Sequence, residues 1–103
     1  MRFHLQAVHV KVDRTFEAFA REKFERCEKF FFSEPTITLI IKQEGDVYLV
    51  EAKAQSKHGT VFVKVEDEDL NRGVEMLVRK LKNQIIRIHE KKVEMSHKPQ
   101  ENP

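Results

Sequence analysis

The bases are the residues best equipped for chemistry in this chain, and they are unevenly spread. Lys23, Arg26 and Lys29 recur at three-residue spacing in one segment. Arg79, Lys80, Lys82, Arg87, Lys91 and Lys92 crowd the end of another, where Glu90 is the only acid between Arg79 and Lys92. Guanidinium and ammonium groups gathered in this way bind phosphates, the first through paired hydrogen bonds and the second as point charges. The second segment, VEDEDLNRGVEMLVRKLKNQIIRIHEKK over residues 65–92, opens with Glu66, Asp67, Glu68 and Asp69, so its charge runs from acid to base. A helix dipole favours that order, but it acts over the terminal turns and is worth only about 0.3–1 kcal/mol per charge. The excess of bases extends further than that, which points to a polyanion such as RNA.

Other chemistries find little support. Cys27 lies among aromatic residues at helical spacing, the setting of a small core residue rather than of a nucleophile, and no nearby histidine would activate it. The histidines at 4, 9, 58, 89 and 97 lack metal-ligand spacing, so no metal or other cofactor is expected. The Glu66–Asp69 cluster lacks the glycine turn and distal glutamate of a calcium loop and suits helix capping better. With no glycine-rich phosphate loop either, neither an enzyme nor a small-molecule substrate is indicated. Lys23 falls near the middle of an apolar arc, where an ammonium must either snorkel past Phe19 and Phe30 or be held at a groove for a phosphate.

The elements that must carry these residues can be read from periodicity. At 103 residues, 40% hydrophobic and 35% charged, the chain fits one globular domain. A net charge of +2 leaves the distribution of charge, not its total, to indicate a partner. One cysteine, no signal-like leader and no apolar run near the roughly 20 residues of a membrane span fit a soluble cytoplasmic protein without a membrane partner. Residues 2–12 alternate apolar and polar but change phase near Ala7–Val8, which predicts a strand with a bulge or bend. Asp13 offers an N-cap for an amphipathic helix from Arg14 to about Phe31, stopped before Pro35. Thr36–Ile41, Val47–Ser56 and residues 60–66 read as strands separated by turns at 44–46 and 57–59. The final helix places Leu70, Val74, Leu77, Val78, Leu81, Ile85 and Ile88 on one arc. The expected fold is therefore α+β, in the order β-α-β-β-β-α, with both helices on one face of a four-stranded sheet and the first strand parallel to the second. Residues 1–92 form the expected domain and residues 93–103 a flexible polar tail. The helix wheels put Lys23, Arg26 and Lys29 on one flank of the first helix, and Lys80, Arg87 and Lys91 on one flank of the last. If those flanks face each other, they form a basic stripe.

The final-helix segment resembles the signature of the ribosome hibernation-promoting factor and ribosome-associated inhibitor family, with its acidic opening and its K-L-x-x-Q-I/L-x-K/R-x-K/H-E-K close. EKFERCEKFF resembles the family's E-K-L-x-K-L-E-K-Y-F, and the opening strand has the matching phase through Val10, Val12 and Asp13. The resemblance covers residue 2 to about residue 92. It implies binding to the small ribosomal subunit in the channel used by messenger and transfer RNA, near the decoding centre. Translation would be blocked by occupation, and ribosomes stored inactive under stress. Carried over residue by residue, Lys23, Arg26, Lys29, Lys80, Arg87, Lys91 and Lys92 match bases that contact ribosomal RNA, while Arg79 and Lys82 stand where the family is less uniform. Asn71, Gly73 and Ala7 depart from the pattern, and the short family type, without the additional domain of the long type, is expected. The expected partner is the small subunit, its RNA and neighbouring ribosomal proteins, with the chain monomeric when free.

Two other readings remain at this point. The α-β-β-β-α core resembles a double-stranded-RNA-binding domain, which would make the chain a general duplex binder. Alternatively, Ile40, Leu49 and Phe62 on the outward sheet face, among His4, Gln6, Lys42 and Lys64, could serve a protein-interaction or transcription-modulator role or offer a base-stacking platform.

Overall fold

A computed structural model describes the backbone of residues 1–97 and the side chains of residues 1–90. Its elements are β1 (Arg2–Val8), α1 (Arg14–Glu25), a single 3₁₀ turn (Glu28–Phe30), β2 (Thr36–Glu44), β3 (Val47–Ser56), β4 (Gly59–Asp67) and α2 (Leu70–His97). The sheet runs in the order β1-β2-β3-β4, with β1 parallel to β2 and the other pairs antiparallel. The expected α+β fold and its β-α-β-β-β-α order are both present.

Alternation along the strands builds the core. Successive side chains point to opposite faces, so the register aligns three rows on the inner face: Phe3, Ile37, Ala54 and Val61; Leu5, Leu39, Ala52 and Val63; Ala7, Ile41, Val50 and Val65. Both helices lie on these rows. Ala20 and Phe24 of α1 and Val74, Leu77, Leu81 and Ile85 of α2 join the inner residues of the sheet in one buried cluster. Phe24 meets Phe3 with ring centroids 5.7 Å apart. Ala52 and Ala54 leave room beneath the second helix, and Gly73 near its start is buried, with Val50 Cγ2 and Asp67 Cβ at 3.4 Å from where a Cβ would stand. Ile88, which the wheel places on the core arc, is 38% exposed because α2 has by then passed the edge of the packed region.

Local signals account for the connections. Asp13 caps α1 by accepting a 2.8 Å hydrogen bond from the amide of Phe16. Gly45, at φ 61°, is the first of two residues joining β2 to β3, the place that a type II′ turn reserves for glycine. The phase change near Ala7–Val8 proves to lie outside the ladder. β1 pairs with β2 without a bulge from Arg2 to Val8, and His9 then takes a left-handed conformation at φ 59° that turns Val10 and Val12 towards the core. The first helix is likewise shorter than its periodicity suggests. It ends at Glu25, and the chain tightens into three-residue closures, with the amides of Cys27 and Phe30 donating to Phe24 O and Cys27 O at 2.9 Å.

The acidic cluster divides between the end of β4 and the start of α2. Asp69 is the N-cap, accepting from the amide of Arg72 at 3.0 Å. Asp67 grips the Arg72 guanidinium through contacts of 2.7–3.1 Å and also accepts from the Asp69 amide at 2.8 Å. At the other end, α2 continues past Lys92 to His97. Of the expected tail, residues 98–103 lie outside the described residues.

Two measurements test this packing. Leu81 is fully buried, and Leu81→Ala is expected to cost about 3 kcal/mol in urea unfolding; a loss below about 1 kcal/mol would contradict the core described. The Arg72 guanidinium first, and the Asp69 amide second, hold the Asp67 carboxyl below its ordinary range. A lowered carboxylate adds stability that is complete above its unfolded-state pKa of about 4 and is lost as pH falls through the folded-state value. Arg72→Ala should therefore lower Tm at neutral pH and flatten its decline on the acid side, a difference that vanishes at the lowest pH.

Candidate nucleic-acid interface

Where α1 and α2 run side by side above the sheet they leave an open cleft of about 420 Å³. Its walls carry Lys23 and Arg26 from α1 and its end, Lys29 and Phe30 from the 3₁₀ turn, and Glu75, Val78, Arg79 and Lys82 from α2, with Cys27 at the floor. The break in the first helix brings Lys29 back over the cleft although it lies beyond the end of α1.

Each side chain has a definite setting. Lys23 is half-buried, its Nζ 3.3 Å from Glu75 Oε2 and 5.5 Å from the centre of the Phe19 ring, so it spans the helix pair rather than lying in the core. Arg26 has Glu22 at 3.9 Å, one turn back on its own helix. Lys29 and Lys82 both stand over Phe30, at 5.4 and 5.6 Å from its centroid. Such contacts orient an ammonium at an exposed site for about 0.5–1 kcal/mol without neutralising it. Among the described residues no carboxylate pairs with Lys29, Arg79 or Lys82. The cleft thus holds three cations without counter-ions beside one internal ion pair, an arrangement suited to successive phosphates.

The structure divides the bases anticipated from the sequence. Lys23, Arg26, Lys29, Arg79 and Lys82 converge on the cleft. Lys80 does not. Its Nζ donates to the main-chain oxygen of Lys64 at 2.8 Å, on the β4 side of the helix. Arg87 is exposed and lines neither the cleft nor the concavity beside β4. Lys91 and Lys92 lie on α2, and their side chains are outside the described residues. The flank of α2 facing α1 is therefore the one with Glu75, Val78 and Lys82, not the one with Lys80 and Arg87, and Arg79 stands between the two, bordering both concavities. Glu75 is the cleft residue that sequence reasoning passed over; its place three and four residues before Val78 and Arg79 on one helix face was the available signal.

Cys27 is buried, and its thiol donates a long 3.8 Å contact to Val78 O. Burial pushes the thiol above its ordinary range, against the opposite pull of Lys82. A protonated, enclosed sulfur is a poor nucleophile. Among the described residues no group of three or more histidine, cysteine, aspartate or glutamate side chains could hold a metal, and no helix is long and apolar enough to cross a membrane.

The family model described as sigma 54 modulation protein / S30EA ribosomal protein matches residues 3–93. The chain belongs to this family. Among curated relatives, a ribosome hibernation promoting factor from Pseudomonas putida is 30% identical over 91 residues, covering 88% of this chain and 89% of that protein. Among solved structures, the N-terminal domain of Thermus thermophilus Protein Y superposes with a TM-score of 0.80 at 20% identity, over 85% of this chain and 99% of that one. A ribosomal subunit interface protein from Coxiella burnetii gives 0.76 at 18% identity, over 87% and 99%. At that identity the two structures establish the shared fold, and the sequence matches establish the family. The resemblance read from the final helix is correct, and this ribosome-associated family is non-enzymatic.

The setting of Cys27 can be checked by alkylation. Iodoacetamide at neutral pH should modify the native thiol at least about tenfold more slowly than the urea-unfolded one. Equal rates would show that the floor of the cleft is open to solvent.

Proposed function

We propose that this chain is a ribosome hibernation factor that binds the small ribosomal subunit through the cleft between α1 and α2. The observation that carries the reading is the convergence of Lys29, Arg79 and Lys82, none with a carboxylate partner among the described residues, beside Arg26 and the Lys23–Glu75 pair. Family membership and the relative named as a ribosome hibernation promoting factor support a ribosomal partner. The cleft sits on the helical face while the sheet braces the two helices from behind, so their spacing is fixed before a phosphate backbone arrives.

The chain acts by occupation. Lodged in the channel used by messenger and transfer RNA near the decoding centre, it excludes both and leaves the ribosome idle until released. No bond is made or broken, in keeping with the non-enzymatic family. A ribosome-bound chain of this type works in the cytoplasm, as a monomer when free. Lys80, Arg87, Lys91 and Lys92 extend the positive field along α2 and steer association more than they fix the pose.

The test is co-sedimentation with purified small subunits on sucrose gradients, paired with in-vitro translation. The double variant Arg79→Glu, Lys82→Glu should lose binding and inhibition together while its Tm stays within a few degrees of the parent. A fourfold rise in salt should weaken the parent about tenfold or more, as expected when several phosphates are neutralised. Retention of binding by the double variant would remove the cleft from the interface. Equal affinity for a free RNA duplex and for subunits would make the chain a general duplex binder instead.

A further inference from the structure

The geometry points to a second nucleic-acid surface, on the sheet face turned away from the helices, that stacks a base of single-stranded RNA on Phe62. Phe62 is 60% exposed, the most exposed large hydrophobic side chain among the described residues. Its cross-strand partner is Lys53, whose Nζ lies 5.8 Å from the ring centroid.

The register shows what surrounds it. One straight row across all four strands reads Phe62, Lys53, Thr38 and His4, and the next reads Thr60, Gln55, Thr36 and Arg2. These two rows contain no carboxylate. The acids of the outer face, Glu44, Glu51 and Glu66, all fall in its other half, and Glu34, just before β2, accepts from the Met1 ammonium at 2.7 Å. The half-face is therefore cationic, with hydroxyl and amide groups interleaved.

It also contains no apolar side chain besides Phe62, and that decides the class of partner. A protein contact gains affinity from clustered apolar residues around its anchor, which are missing here. A single-stranded nucleic acid needs instead one exposed ring on which a base can stack, with cations beside it for the backbone. Duplex RNA keeps its bases within the stack and offers nothing to the ring. The surface lies on the opposite side of the sheet from the α1–α2 cleft, so the two can be tested separately, and neither proposal depends on the other.

The measurement is fluorescence anisotropy of the full chain with a labelled oligouridylate of about twelve nucleotides. Phe62→Ala should weaken binding about tenfold, Phe62→Tyr should retain it, and Lys53→Ala should weaken it severalfold. Phe62→Ala should still co-sediment with small subunits like the parent, which separates this surface from the cleft. An affinity unchanged by Phe62→Ala overturns the proposal. So does an effect of Phe62→Ala on ribosome binding alone, which would make the ring a protein contact. The exposed position of Phe62 keeps these variants folded, and matching thermal melts check that.

Discussion

The rotational setting of α2 against the sheet is the constraint on which the rest of the molecule depends. Val74, Leu77, Leu81 and Ile85 are pressed onto an inner face trimmed to Ala52 and Ala54. Turning the helix by even one residue, about 100°, would lift part of that set into water, at about 25 cal/mol for each Å² exposed. With the buried arc fixed, the two flanks are fixed as well: Glu75, Val78 and Lys82 face α1, Met76, Lys80 and Asn83 face β4, and Arg79 stands between them, bordering both concavities. The cleft is thus a by-product of core packing, and its charge was added to a position that hydrophobic burial had already determined.

The same constraint marks what could be read from the sequence. Strand alternation, the Asp13 cap, the glycine at 45 and the stop before Pro35 are local signals, each with one physical meaning, and the fold followed from them. The end of the first helix was not legible because Phe24, Cys27 and Phe30 are three residues apart, a spacing that serves an α-helix and a 3₁₀ turn equally well. Only the hydrogen bonds distinguish them. The phase shift at the end of β1 was visible, but its cause was a left-handed residue outside the ladder rather than an inserted one within it.

The candidate site was legible in kind but not in placement. A helical wheel gives the width of the apolar arc and the identity of its flanks, but it carries no information on which flank a neighbouring helix will cover. That depends on α1 lying against β1 and α2 over β3 and β4, a long-range fact. So the bases were identified while the wrong flank of α2 was assigned to the groove. Lys23 shows the same limit. Its place on an apolar arc was evident, whereas the partner that makes the position tolerable, Glu75, lies on another helix.

Lys80 has a consequence of its own. β4 is an outer strand, and a strand with unpaired main-chain groups along one side invites another chain to dock and extend the sheet. The ammonium of Lys80 already occupies the oxygen of Lys64. An incoming strand must evict a charged group and then bury the place it held. A lysine that the sequence presented as one more base for RNA thus caps an open main-chain acceptor on the exposed edge of β4.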